Sequence, residues 1–291
     1  MTGFSHPGAR AARLIALLAL LAGLVGGCQG VPSPLIPLGE DVSAESGAEG
    51  GPLVRVAACW ASLPLVTELI SEYERANPHA AFDVVPVPPD VARDLLATGQ
   101  ADVAVIGIGP DEGEGTEGLA GRAVALDAVT MIAHPGTGLT ELTGGQIAAL
   151  YAGEYLRWDE LNGSSDAVEV VTHVPGATER AIFERALMGE KQVSSFAIVM
   201  PHDRAVIDYV ATHPGAIGYV SNAYVDDRVQ VFAVDGQRPT DAEVRSGRYP
   251  LGYPLVFLTP SEAIREAERW TAHALGSRGR QVVERRYTVP R

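Results

Sequence analysis

The chain has 291 residues, a formal net charge of −14, and 46% hydrophobic residues. This composition is typical of a globular protein with a substantial core. The strongly negative charge argues against nucleic acid as a partner, because a polyanion is repelled at long range and no basic run is present.

The N-terminal residues predict export. Arg10 and Arg13 precede an apolar run, residues 14–25, which ends in small residues before Cys28. The run has roughly 12 residues, whereas a membrane-spanning helix needs about 20. Residues 1–28 resemble a bacterial lipoprotein signal, and this implies cleavage before Cys28 and lipidation of its thiol. An ordinary secretory signal with an incidental cysteine is the alternative.

A flexible spacer is predicted next, over residues 29–51, which are rich in Pro, Gly, Ser and Glu and lack apolar periodicity. Lipidation of Cys28 leaves Cys59 without a partner cysteine, so we expect no disulfide framework and interpret Cys59 as a buried, unreactive thiol. The mature protein would be anchored by its lipid to the outer face of the cell membrane, or be periplasmic.

The first folded elements alternate. Strands are predicted at 54–57, 82–87 and 102–107, with a helix at 64–77 and a second helix capped by Asp90. This β-α-β-α-β order predicts a parallel sheet covered by helices, with a ligand crevice at the carboxyl ends of the strands.

The later elements follow a loop. Residues 108–121 are rich in Gly and acids and are interpreted as a solvated surface loop. Beyond it we predict strands at 127–134, 168–172, 217–220 and 255–258, and helices at 145–151, 203–212 and from a Ser261 cap to Gly276.

Six segments in register resemble the phosphate-binding solute receptors of bacterial ABC importers. They are Pro64-Leu65, 99–104 (GQADVA), 142–161 (LTGGQIAALYAGEYLRWDEL), 215–220 (GAIGYV), 234–236 (VDG) and 249–259 (YPLGYPLVFLT). The resemblance covers about residue 53 to the end of the chain. It implies an α/β, two-lobed type II periplasmic-binding-protein fold, with mixed sheets flanked by helices. Lobe 1 would comprise 52–130 and 255–291, lobe 2 would comprise 131–254, and hinge strands would cross at 127–134 and 253–259.

In that family an oxyanion is held by loops at helix N-termini, with hydroxyls, an arginine and an aspartate. This chain departs at most of these places. Ala58-Cys59-Trp60 stands for Gly-Ser-Thr, Pro88-Pro89-Asp90 for Gly-Ser-Gly, and Ile106-Gly107-Ile108 for an aspartate or Ser-Arg. In the segment 173–180 only Gly176 and Arg180 match, with Thr178 a displaced hydroxyl. Each lost charge-assisted hydrogen bond is worth about 1.5–3 kcal/mol, so we expect phosphate affinity to fall by orders of magnitude.

Several candidates keep two interpretations. Trp60 either stacks on a ligand or packs in the cleft. His173 either donates when protonated or is a neutral strand-end histidine. Arg180 either binds a ligand carboxylate or pairs with Glu179 or Glu184 on its helix, and the (i, i+4) spacing favours Glu184. A Cys59–His173 nucleophile pair is a further alternative. The predicted ligand-contacting residues are Cys59, Trp60, Ala61, Asp90, His173, Gly176, Ala177, Thr178 and Arg180.

These features predict a lipid-anchored extracytoplasmic solute-binding protein rather than an enzyme, with no cofactor and no metal. Its expected partners are a small-molecule solute (an oxyanion or small organic anion) and an ABC permease. Contact with the membrane is expected through the lipid anchor only, and the protein is expected to be a monomer. The alternative is a binding-fold domain that has no transport role and acts as a sensor or surface interaction module. A hydrolytic enzyme is the third possibility.

Overall fold

The computed structural model describes residues 53–108 and 119–290. The predicted leader, the Cys28 lipidation site, the spacer and most of the predicted 108–121 loop lie outside the described residues. Among the described residues, none of the helices has both the length and the apolar character needed to cross a bilayer.

The first half of the chain forms a parallel sheet, as predicted. Strands β1 (Leu53–Ala58), β2 (Ala81–Pro86) and β3 (Val103–Gly107) alternate with helices α1 (Leu63–Ala76) and α2 (Pro89–Ala97), and the spatial order is β2-β1-β3. Helix α1 buries Leu65, Val66, Leu69, Ile70 and Tyr73 against the sheet. Those residues follow the helical period, so burial of one face accounts for the helix.

Helix α2 corrects one predicted boundary. Its N-cap is Pro88, and Asp90 lies inside the first turn rather than at the cap. Proline suits the first helical position because its missing N–H would have no intrahelical partner there, so the helix starts at Pro89, two residues earlier than a helix capped by Asp90.

A long strand, β4 (Leu119–Ala133), joins the two halves of the molecule. Its first part pairs antiparallel with β11 (Gly252–Pro260), and from Val129 onward it pairs antiparallel with β8 (Ala216–Ser221). The prediction of a surface loop reaching 121 was wrong at its end, because 119–121 pair with 258–260 of β11. This strand is stabilised by a partner distant in sequence, which local composition does not reveal.

The remaining elements complete a second half-sheet in the order β8-β6-β7, where β6 is Glu169–His173 and β7 is Ile198–Met200. Around it lie α3 (Gly144–Tyr151), α4 (Thr178–Phe183), α5 (Asp203–Val210) and α6 (Asp241–Ser246), and three two-residue strands, β5 (Glu141–Leu142), β9 (Gln230–Val231) and β10 (Ala233–Val234). The C-terminal helices α7 (Arg265–Leu275) and α8 (Ser277–Val283) contact α1. Helix α7 starts after Ile264, later than the predicted Ser261 cap.

The fold is therefore two-lobed α/β, with a mixed sheet flanked by helices. Lobe 1 is built on β1, β2, β3 and β11, lobe 2 is built on β6, β7 and β8, and β4 belongs to both. Because the carboxyl ends of parallel strands lead into loops at one edge of a sheet, the loops after β1, β2, β3, β6 and β7 are the natural place for a site.

Candidate functional site

The loop after β1 is closed by its own hydrogen bonds. The Cys59 thiol is 2% exposed and donates to Ser62 Oγ over 3.5 Å, while Ser62 Oγ donates to the Val105 carbonyl over 2.8 Å. Burial raises the pKa of the Cys59 thiol to about 11, so the thiol is protonated at neutral pH. Ala61 is fully buried, and its carbonyl accepts from the Tyr287 hydroxyl over 2.9 Å. Neither side chain is free to contact a solute in this conformation.

Trp60 contacts lobe 2 directly. Its ring lies 5.1 Å from the His202 ring, centroid to centroid, at the start of α5. The Tyr224 hydroxyl donates to the Trp60 carbonyl over 2.9 Å. Trp60 therefore connects the two lobes, its ring by packing against His202 and its main-chain carbonyl by the hydrogen bond from Tyr224.

A cavity of about 270 Å³ opens between α2 of lobe 1 and α4 of lobe 2. Its volume lies just below the range of about 300–1,000 Å³ typical of ligand pockets, so it has room only for a small solute. The polar groups at its wall include the Asp90 carboxylate and the Thr178 hydroxyl, and the Thr178 Oγ1 atom is buried without a hydrogen-bond partner among the described residues. The lining residues are Pro89, Asp90, Arg93, Gly107, Gly176, Thr178, Ala181 and Ile182.

Two glycines allow the walls to approach. A Cβ at Gly107 would collide with the Thr178 methyl and lie 2.8 Å from the Tyr253 ring. Gly176 has φ +85°, in the left-handed region that disfavours other residues, and it turns the chain from β6 into α4. Ala177, the N-cap of α4, is 7% exposed and supports this turn without a side-chain hydrogen bond.

His173 and Arg180 are bonded away from the cavity. A ring nitrogen of His173 lies 2.9 Å from the Tyr219 carbonyl, and burial lowers the pKa of this ring, which is therefore neutral at pH 7. The Arg180 guanidinium donates to Glu184 Oε1 over 2.7 Å and to the His173 carbonyl over 2.9 Å. In this conformation both residues follow the structural interpretation that the sequence left open.

Buried acids beneath the cavity were missed by sequence reasoning. Asp127 on β4 is 3% exposed, and its Oδ2 accepts from the Ser221 hydroxyl of lobe 2 over 2.6 Å and the Tyr253 hydroxyl of lobe 1 over 2.7 Å. Burial raises its pKa to about 6. The signal available in sequence was an acid inside an otherwise apolar strand, which is costly unless its oxygens are hydrogen-bonded.

Glu179 and Asp203 form a second acidic group, in lobe 2. They are 1% and 0% exposed, and Asp203 Oδ1 accepts from the Ser221 backbone N–H over 2.6 Å. Burial and the neighbouring Asp203 raise the pKa of Glu179 well above its usual range. The sequence interpretation has Glu179 only as one of two possible partners of Arg180, and nothing in the helical spacing distinguishes it from an exposed acid.

These acids lie where the loops of both lobes converge, so the electrostatic character of the cleft is acidic. The raised pKa keeps Glu179 protonated at neutral pH, whereas Asp127, with a pKa of about 6, is mostly ionised. An ionised oxyanion close to Asp127 therefore meets like charge in a region of low dielectric, where repulsion is strong.

Comparison with known proteins assigns the fold to a family. The profile of the PBP superfamily domain matches residues 43–275. The phosphate-binding protein PstS of Bacillus subtilis is 24% identical over 216 residues, covering 73% of this chain and 71% of that protein. PstS of Borreliella burgdorferi is 19% identical over 218 residues, covering 71% and 78%.

Solved structures have the same fold. An ABC-type phosphate transport receptor from Vibrio cholerae superposes with a TM-score of 0.69 at 22% identity, covering 81% of this chain and 100% of that one. A Clostridium perfringens protein described as a phosphate ABC transporter substrate-binding protein superposes with a TM-score of 0.77 at 20% identity, covering 82% and 100%.

Proposed function

The chain belongs to the PBP superfamily domain family, and on that premise we propose that it is an extracytoplasmic receptor that delivers a small anionic or polar solute to an ABC importer. Its curated relatives are phosphate-binding proteins, which are not enzymes. The observation that carries the proposal is the cavity between α2 and α4, which both lobes line. A cleft with walls on two lobes is suited to capture by closure about hinge strands.

The solute is proposed to differ from phosphate. The described lining contains one arginine, Arg93, and one hydroxyl, that of Thr178. Arg180 is paired with Glu184, and three buried carboxyls, Asp127, Glu179 and Asp203, lie on neighbouring elements. Each missing charge-assisted hydrogen bond weakens an anion complex, and each uncompensated carboxylate weakens it further.

The location and boundaries are also part of the proposal. The mature protein would be a monomer, held by a lipid on Cys28 with 29–51 as a spacer. Lobe 1 would span 52–130 and 255–291, and lobe 2 would span 131–254. Replacing Cys28 by Ser should move the protein from the membrane fraction to the soluble fraction and abolish labelling with a fatty acid.

A thermal-shift panel of phosphate, sulfate, organic phosphates and small carboxylates tests the receptor function. A ligand at a hundred times its dissociation constant adds about 2.7 kcal/mol of stability, or roughly 5–10 °C in Tm for a domain of this size. We expect one organic solute to exceed phosphate. Thr178→Val should reduce that shift, because it removes the unpartnered hydroxyl at the cavity wall. Asp90→Asn should also change it, and Asp94→Asn, on the exposed side of α2, should not.

If none of the compounds in the panel raised the Tm, the receptor function would be contradicted. This result would favour the second candidate, a domain that acts as a sensor or interaction module. The observation that favours this second candidate is the presence of buried carboxyls, Glu179 and Asp203, where a receptor would present groups that bind a solute.

A further inference from the structure

Glu179 and Asp203 are arranged as a pair that needs a proton. Glu179 is the second residue of α4 and Asp203 the first of α5. Asp203 lies close enough to raise the pKa of Glu179. Glu179 Oε1 and Asp203 Oδ2 are both buried, and neither has a hydrogen-bond partner among the described residues. Since ionised carboxylates only accept, a proton on one of the two oxygens is required to complete a bond between them.

Among residues 53–108 and 119–290, the groups around the pair provide no compensating cation. Burial keeps the thiol of Cys59 and the hydroxyls of Tyr224 and Tyr253 protonated by raising the pKa of each, and it lowers the pKa of His173. The nearby guanidinium groups are bonded to other acids, Arg180 to Glu184 and Arg204 to Asp226. The titratable and charged groups facing the pair are Cys59 after β1, Asp127 on β4, His173 on β6, Arg180 on α4, His202 and Arg204 at the start of α5, Tyr224 after β8 and Tyr253 on β11.

Burial of the pair depends on lobe 1. The start of α4 is covered by the turn at Cys59 and Trp60 and by the close approach of Thr178 to Gly107. Movement of lobe 1 away from α4 would admit water to both carboxyls, and in water each would ionise at its ordinary acidic pH. The closed state therefore binds a proton that the open state does not bind.

We propose that the Glu179–Asp203 pair couples closure of the cleft to the uptake of one proton. The inference rests on the hinge movement of the proposed function, but it does not depend on the identity of the solute. Over the pH range in which the closed pair alone is protonated, the ratio of closed to open molecules falls about tenfold per pH unit as pH rises.

The test uses the mature protein without solute between pH 5 and pH 9. Trp60 reports closure because its ring lies against His202 of the other lobe, whereas Trp158 and Trp270 are fully buried within the lobes. Subtracting the emission of a Trp60→Phe variant isolates its signal, and small-angle scattering gives the radius of gyration in the same samples. We expect the wild type to expand and the Trp60 emission to shift toward longer wavelength as pH rises, while the far-ultraviolet circular dichroism stays constant.

Two variants separate a shared proton from a merely structural role. Glu179→Gln and Asp203→Asn each place a permanent N–H donor between the two side chains, so each should remain closed across the whole pH range. Having two variants keeps the test valid if one fails to fold. Glu190→Gln, an exposed acid of lobe 2, should follow the wild-type profile.

A wild type whose radius and Trp60 emission do not change with pH would overturn the proposal. So would folded amide variants that open with the same pH profile as the wild type. A protein that closes with acid but binds no solute in the thermal-shift panel would contradict the receptor function and leave the proton coupling standing, so the two failures are distinguishable.

Discussion

The two walls of the cleft bury different chemistry. The lobe 1 wall combines close-packed small groups, Cys59, Ala61 and Gly107, with two charged residues of α2, Asp90 and Arg93, that line the cavity. The lobe 2 wall carries buried carboxyls, Glu179 and Asp203, at the starts of two helices. Lobe 1 thus fits closely against the start of α4, and its charged groups at the cavity, Asp90 and Arg93, are not fully buried, whereas the buried pair of acids lies in lobe 2. Asp127 lies between the walls and is hydrogen-bonded to both.

The largest expected effect concerns Asp127, whose pKa burial raises to about 6. Its unfolded pKa is about 3.9, so the native state binds the extra proton between these values, and unfolding free energy decreases as pH rises through this window. The difference corresponds to about 3 kcal/mol. Asp127→Asn keeps the side-chain volume and removes the titration, so its stability relative to the wild type should improve by about that amount from pH 4 to pH 7.

Urea unfolding at several pH values measures this difference. Asp94→Asn, an exposed acid on α2, serves as the control and should change little relative to the wild type. If the difference in unfolding free energy between Asp127→Asn and the wild type did not change with pH, the pKa of Asp127 would not be raised by folding. The Asp127 carboxyl would then not be protonated between the two lobes over this pH range.

A smaller effect is expected at Gly107, where lobe 1 lies against Thr178 of α4. Gly107→Ala places a methyl group against Thr178 and 2.8 Å from the Tyr253 ring, which should destabilise the closed arrangement by about 1–3 kcal/mol. The Trp60 emission and the Tm measure this destabilisation. Gly145→Ala in α3 is the matched control, since its nearest neighbour lies 4.0 Å away and alanine favours a helix by about 0.5–1 kcal/mol. An unchanged Tm and Trp60 signal in Gly107→Ala would contradict the close fit of the walls.

The same contrast explains what sequence could and could not predict. The alternating pattern from Val54 to Gly107 predicted the parallel half of the sheet, because each of these elements is specified by its own apolar period. The first part of β4 was missed because its stability comes from β11, more than a hundred residues later. Gly176 was identified from its match to the family's loop, whereas the burial of Glu179 depends on contacts that α5 and the loop after β1 make with the start of α4. Tertiary contacts of this kind leave no local periodicity.

The smallest expected effect sharpens the view of the lobe 2 wall. Arg180 donates to Glu184 and to the His173 carbonyl. Arg180→Ala should therefore lower the unfolding free energy by about 1 kcal/mol, because it removes an (i, i+4) ion pair and a hydrogen bond. Because the guanidinium is bonded away from the cavity, the thermal shift caused by a bound solute should stay as in the wild type. Arg185→Ala, an exposed neighbour, provides the control. If Arg180→Ala instead kept its Tm and lost the solute response, the arginine would turn toward the solute on binding, and the lobe 2 wall would supply a cation as well as its acids.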